Sequence, residues 1–123
     1  MKKILIVEDA LTVRLYYHKV LSENGFEVDM AINGVEGLEK VLQKGYDLFI
    51  VDINMPKMDG YTFLRELRTN REIIQAPAIV ITTEDKREDK EKALKSGANL
   101  YLVKPVKSLE LLIYAKLLTG VKL

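Results

Sequence analysis

Three four-residue apolar runs, Ile4-Leu5-Ile6-Val7, Leu48-Phe49-Ile50-Val51 and Leu100-Tyr101-Leu102-Val103, each stop at a charged residue. They stop at Glu8-Asp9, Asp52 and Lys104-Pro105, while a fourth run, Ala78-Ile79-Val80-Ile81, stops at Thr82-Thr83-Glu84. Short unbroken apolar runs suit strands buried on both faces, as in a parallel sheet covered by helices. Nothing in strand packing requires two carboxylates, a third carboxylate and an ammonium at those ends. In an open parallel α/β sheet, ligands bind in the crevice beyond the carboxyl ends of the strands. The charged residues therefore fall where such a fold does its chemistry.

The segments between the runs read as helices, five times over, which is the βαβ signature of a parallel sheet. Val13, Tyr16, Tyr17, Val20 and Leu21 recur at helical spacing, and Gly25 closes that first helix. Phe26 to Ile32 reads as a second strand with Asn33-Gly34 as a turn. Val35, Leu38, Val41 and Leu42 then line one face of a second helix that stops at Gly45. Asn54 to Gly60 is a loop by its proline and glycine content, and Tyr61 to about Arg71 is a third helix with Phe63, Leu64 and Leu67 inward. Pro77 is tolerated at the start of the fourth strand. The fourth helix, Lys86 to Ser96, carries only Ala93 and Leu94 as apolar residues, so it buries little and is marginal alone. Gly97-Ala98 ends it.

At 123 residues and 48% hydrophobic, the chain fits one domain with a substantial core. The absence of cysteine excludes disulfides and thiolate metal sites and fits a reducing, cytoplasmic setting. The apolar run after Met1-Lys2-Lys3 is too short for a signal-peptide core or a membrane span, so no membrane insertion is expected. A net charge of +1 with interspersed signs gives no electrostatic footprint for nucleic acid. Read as one domain over 1–123, the chain leaves no room for an output domain. His18, the single histidine, reads as an ordinary surface residue.

If the first and third strands are neighbours, Glu8, Asp9 and Asp52 converge. Two bare carboxylates about 4 Å apart repel by roughly 4 kcal/mol at an effective dielectric near 20. A cluster of three calls for a cation, and an all-oxygen site suits Mg²⁺, with Mn²⁺ a natural substitute. The competing interpretation makes Glu8 and Asp9 helix-capping residues and Asp52 a plain strand end; Lys104 and Thr82 at matching strand ends weigh against it. Lys104 can pair with the carboxylates or hold a phosphoryl oxygen as a point charge. It precedes Pro105, and X-Pro bonds are the ones that can be cis. Thr82 offers a hydroxyl to an anion.

The set Glu8-Asp9, Asp52 with Met55-Pro56 and Asp59-Gly60, Thr82, and Lys104-Pro105 resembles the receiver domain of two-component response regulators. The resemblance covers essentially the whole chain and is closest in form to single-domain chemotaxis (CheY-like) members. It implies a flavodoxin-like, doubly wound, five-stranded parallel sheet with five helices, the strand order 2-1-3-4-5 being carried over from that family. By the same resemblance, Asp52 would be the phospho-acceptor. Asp9, Asp52 and the backbone carbonyl of Asn54 would bind Mg²⁺ directly, and Glu8 would act through a water. Lys104 and Thr82 would hold phosphoryl oxygens, and Tyr101 would be an aromatic switch residue. A sensor histidine kinase, or a small donor such as acetyl phosphate, would supply the group. The module would be no enzyme beyond catalysing its own phosphorylation and dephosphorylation.

Asn54 and Glu84 resemble the pair in chemotaxis members that lose the phosphoryl group quickly. Thr83 is bulkier than the Ala or Gly frequent at that place, and its bulk narrows the path to Asp52. In the fifth helix, eight of the ten residues from Leu109 to Leu118 are apolar. At about 100° per residue, Leu111, Tyr114, Ala115 and Leu118 make one face, and Leu109, Ile113 and Leu117 make a stripe opposite. A surface helix needs one buried stripe. A second stripe either wedges against neighbours or, with Tyr101, docks a downstream protein, of the kind found in flagellar or pilus motility machinery, or a second copy of the chain. That surface is the face made by the fourth helix, fifth strand and fifth helix. Three other functional classes fit the residues less well. A haloacid-dehalogenase-like Mg²⁺-dependent phosphatase would want a carboxylate where Asn54 stands. A phosphorylation-independent binding module would not need the full set of site residues. A flavin binder would need a Ser/Thr/Gly-rich phosphate loop after the first strand.

Overall fold

Alternate residues along the first strand point into two different cores: Leu5 and Val7 into one, Ile4 and Ile6 into the other. That is the consequence of a two-residue side-chain period in a strand with no polar face. The computed structural model describes residues 1–123. Its strands are β1 (Lys3–Val7), β2 (Glu27–Ala31), β3 (Leu48–Val51), β4 (Ala78–Thr82) and β5 (Leu100–Val103). They alternate with the helices α1 (Leu11–Ser22), α2 (Gly34–Gln43), α3 (Gly60–Thr69), α4 (Arg87–Ser96) and α5 (Ser108–Thr119). All pairings are parallel, in the order β2-β1-β3-β4-β5. No helix is long and apolar enough to cross a membrane.

One core lies under α2, α3 and α4 and is built on Phe49, Val51, Phe63, Leu64, Leu67 and Val80. The other lies under α1 and α5 and is built on Leu21, Leu48, Ile50, Ile79, Ile81 and Leu111. Register pairs Val7 of β1 with Val51 of β3, so the residues that follow each strand emerge side by side.

Several local expectations are corrected. The second strand ends at Ala31, not Ile32, which is exposed. Asn33 is no turn residue but the N-cap of α2, its side chain accepting from the Glu36 amide at 2.9 Å. Val35 and Leu42 are exposed, because α2 turns Gly34, Gly37 and Val41 inward instead. At Gly37 a methyl group would come within 2.9 Å of the Phe63 ring, so close helix packing, not an apolar stripe, sets that face. Tyr16 of α1 is exposed, with its hydroxyl near the Val106 carbonyl at 3.4 Å. The third helix ends at Thr69 rather than Arg71, and Tyr61 at its start is buried. In α4, Ala93 is buried and Leu94 is exposed, leaving one apolar anchor where two were counted.

Gly60 opens α3 directly beneath the site. A Cβ there would collide with the Asp52 carbonyl and lie 2.9 Å from Ile53 Cα. The N-cap Asp59 accepts from the Thr62 amide at 2.8 Å, holding the helix start against the β3 end. Asp59-Gly60 is thus a tight clamp behind Asp52.

Candidate functional site

The ends of β1, β3 and β5 deliver their charged residues to one place. The Asp52 amide donates to the Val7 carbonyl at 3.0 Å, and the Lys104 amide to the Thr82 carbonyl at 2.8 Å. Each residue therefore leaves its strand in register with its neighbour. Carboxylate oxygens of Glu8, Asp9 and Asp52 all lie within 4.8 Å of one another. Glu8 and Asp52 are buried and Asp9 is exposed. The Lys104 ammonium donates to Asp52 Oδ2 at 3.0 Å and to Glu8 Oε2 at 3.3 Å. The Lys104-Pro105 peptide bond is cis. Asp52 Oδ1 accepts from the Ile53 amide at 2.7 Å.

The charge balance is uneven. Three carboxylates face one ammonium, and burial pushes the Glu8 carboxyl up to about 7, with the negative charge of Asp52 pushing in the same direction. Lys104 pulls it back in part. Burial alone would lower the Lys104 ammonium, but the hydrogen bond it donates to Asp52 and the charges of Asp52 and Glu8 outweigh it and raise it. Burial pushes the nearby Tyr17 hydroxyl upward, and the Glu8 and Asp52 charges add to that. All three donors are hard oxygens with an excess of negative charge, at a spacing one small cation can bridge. The residues fit Mg²⁺.

The remaining residues divide. Thr82 is fully buried at the end of β4, its Oγ1 accepting from the Glu84 amide at 3.3 Å. Glu84 ties the rim together: its carboxylate accepts from Asn54 Nδ2 at 2.8 Å, and its carbonyl from the Tyr101 hydroxyl at 2.7 Å. Tyr101 is half-buried against the core, and burial pushes its hydroxyl up to about 12, with Tyr61 and Asp89 adding to it. Thr83 and Asn54 are exposed. Leu109, Ile113 and Leu117 lie on α5, outside the acidic cluster, at 67%, 37% and 57% exposure. The second stripe is therefore open rather than wedged.

Sequence reasoning overlooked two contributors. The Ile53 amide carries no side-chain signal. Arg14 of α1 donates through Nη1 to the carbonyls of Glu8, at 2.8 Å, and Asp9, at 3.2 Å. A basic residue one turn into the helix after an acidic pair was the available cue.

The structure is a doubly wound parallel sheet with three clustered carboxylates and one lysine at its carboxyl edge, where ligands bind in such folds. Residues 4–116 match the family model of the response regulator receiver domain, and the chain belongs to that family. It is 42% identical over 110 residues to the transcriptional regulatory protein HprR of Escherichia coli, covering 89% of this chain and 48% of that protein. The chain thus spans about half the length of that relative. The chemotaxis protein CheY4 of Vibrio cholerae superposes with a TM-score of 0.90 at 33% identity, over 96% of this chain and 98% of the other. The receiver domain of a Pseudomonas aeruginosa sensor histidine kinase superposes at 0.89 with 29% identity, over 97% and 98% of the two chains. Its structure holds a magnesium ion coordinated in the active-site cleft. Receiver domains of two-component systems accept phosphoryl groups from sensor histidine kinases and bind Mg²⁺ at an acidic pocket.

Proposed function

We propose that this chain is a phosphorylation-dependent switch of the chemotaxis type, with Asp52 as the phospho-acceptor. The observation that carries this is Asp52 itself: a buried carboxylate with one oxygen on the Ile53 amide and the other on the Lys104 ammonium. With Oδ1 held, Oδ2 is the attacking atom. It forms a bond to the phosphorus of a phosphohistidine or acetyl phosphate as the bond from phosphorus to the leaving group breaks. Lys104 then shifts its ammonium from Asp52 to the transferred oxygens, where it offsets charge as a compact point donor. Asp9, Asp52 and the Asn54 carbonyl would hold Mg²⁺, with Glu8 behind them. Bound there, the ion would neutralise the phosphoryl charge.

The same site would hydrolyse the acyl phosphate, so the chain acts on itself and on no other substrate. Asn54 and Glu84, already joined at the rim, would set that rate, and Thr83 would slow access to it. Phosphorylation adds about −1.5 to −2 charge. Thr82 moving toward that charge would release the Glu84 amide, and through Glu84 it would reach Tyr101 and α4. The α4-β5-α5 face, with Tyr101 and the open stripe of Leu109, Ile113 and Leu117, would then engage a downstream protein of motility machinery. Its kinase would be a sensor histidine kinase.

Incubation with acetyl phosphate and Mg²⁺ should add one phosphoryl mass to the protein and none to Asp52→Ala. Equal labelling of the two would defeat the assignment. Thr83→Ala should change the rates of labelling and loss.

A further inference from the structure

We infer that Arg14 is the positioning residue of the Mg²⁺ site, holding the β1-α1 turn in the shape that presents Glu8 and Asp9. This inference rests on the receiver reading above. Apart from the Ala10 amide, which donates to Glu8 Oε1 at 3.2 Å, the turn is short of other ties. Ala10, the N-cap of α1, has no side chain that can cap, and no backbone amide donates to the carbonyl of Glu8 or Asp9. Both carbonyls instead accept from a single atom, Arg14 Nη1. The Asp9 carboxylate is exposed and makes no hydrogen bond to the protein, so its backbone sets the range of positions its rotamers can reach. One guanidinium nitrogen bridging two successive carbonyls fixes the two peptide planes that flank the Asp9 Cα, from which the Asp9 side chain departs.

Two physical effects of Arg14 oppose each other, and that makes the inference decidable. As a cation on the turn that carries Glu8 and Asp9, Arg14 repels a divalent ion, so charge alone predicts tighter Mg²⁺ binding when it is removed. As a clamp, it pre-organises Asp9, so removal should weaken binding. Partners that orient metal ligands from outside the coordination shell cost tenfold or more in affinity when lost.

The test is calorimetric titration of the unphosphorylated chain with Mg²⁺, comparing the wild type with Arg14→Ala, Arg14→Gln and Asp9→Ala. Arg14→Ala should bind Mg²⁺ about tenfold more weakly, and Arg14→Gln, which retains one donor, should fall between it and the wild type. Denaturation in the absence of Mg²⁺ reports any purely structural role separately. Affinity unchanged or tightened in Arg14→Ala overturns the inference, whatever happens to metal-free stability. Should that variant fail to fold, Arg14→Gln decides by the same criterion. Failure of the wild type to bind Mg²⁺ would remove the receiver reading and this inference together, whereas wild-type binding that Arg14→Ala matches would remove only this one.

Discussion

Helices α3 and α4 are ten residues each and cover the same face of the sheet, yet they are held there by different means. Helix α3 drives Phe63, Leu64 and Leu67 fully into the core and sets Gly60 against the Asp52 carbonyl. Helix α4 buries Ala93 and Ser96 alone. Its ties are polar and sit mostly at its C-terminal end, where Arg65 Nη1 reaches Ser96 Oγ at 3.4 Å and Arg68 Nε donates to the Gly97 carbonyl at 3.0 Å. Near its start, Tyr61 reaches the Asp89 carbonyl at only 3.4 Å, and Asp89 Oδ2 is buried without a hydrogen bond. One helix is a wedge that fixes the acceptor; its neighbour is anchored at one end and weakly satisfied at the other. Elements that move in signalling come from the low-stability end of a fold, and α4 begins three residues after Glu84, where Thr82 and Tyr101 meet.

The largest effect expected from this contrast is in α3. Leu67→Ala should destabilise the protein by about 2–5 kcal/mol in urea denaturation, the range for a fully buried leucine. A loss below about 1 kcal/mol would remove the wedge from the account. Next comes Arg68, which donates to Gly97, Gln75, Ala76 and Asn99 and joins α3 to the far end of α4. Burial lowers its guanidinium, which has no carboxylate partner. Arg68→Ala should cost about 1–3 kcal/mol, with faster hydrogen exchange at Leu94 to Ser96 and little change in α3. If both helices loosened equally, the anchor would not be specific to α4. In the wild type, amides of α4 should exchange at least about tenfold faster than those of α3, equivalent to about 1.4 kcal/mol of opening free energy. Indistinguishable protection would erase the comparison. Smallest of all, Leu94→Ala should stay within about 0.5 kcal/mol, since that side chain is exposed.

The contrast also marks what could be read before the structure. The cores of β1, β3 and β4 were legible because burial on both faces leaves an uninterrupted apolar run that ends where the sheet ends. Strand β5 carries the same kind of run but is an edge strand, half-buried and with Val103 exposed, contrary to the expectation. The weakness of α4 was legible from its composition, although Leu94 did not turn inward. Strand order was legible only through resemblance, because periodicity says nothing about which strand pairs with which. What escaped was contact made by backbone or by long polar side chains. Asn33 capped a helix instead of turning the chain, and Gly37 defined a face that Val35 and Leu42 had suggested at a different angle. Arg14 and Arg68 act on carbonyl oxygens, which a sequence does not display. Glu84 was singled out for a role in hydrolysis, but its backbone as well as its side chain joins the rim.

Reductive trapping gives the most direct reading of the acceptor. Borohydride converts an aspartyl phosphate to homoserine, so peptide mapping after treatment with acetyl phosphate and Mg²⁺ locates the modified residue. Homoserine at position 52, absent when Mg²⁺ is chelated, is the predicted result. Homoserine at position 9 instead, or an unmodified Asp52 in protein that has gained the phosphoryl mass, would contradict it.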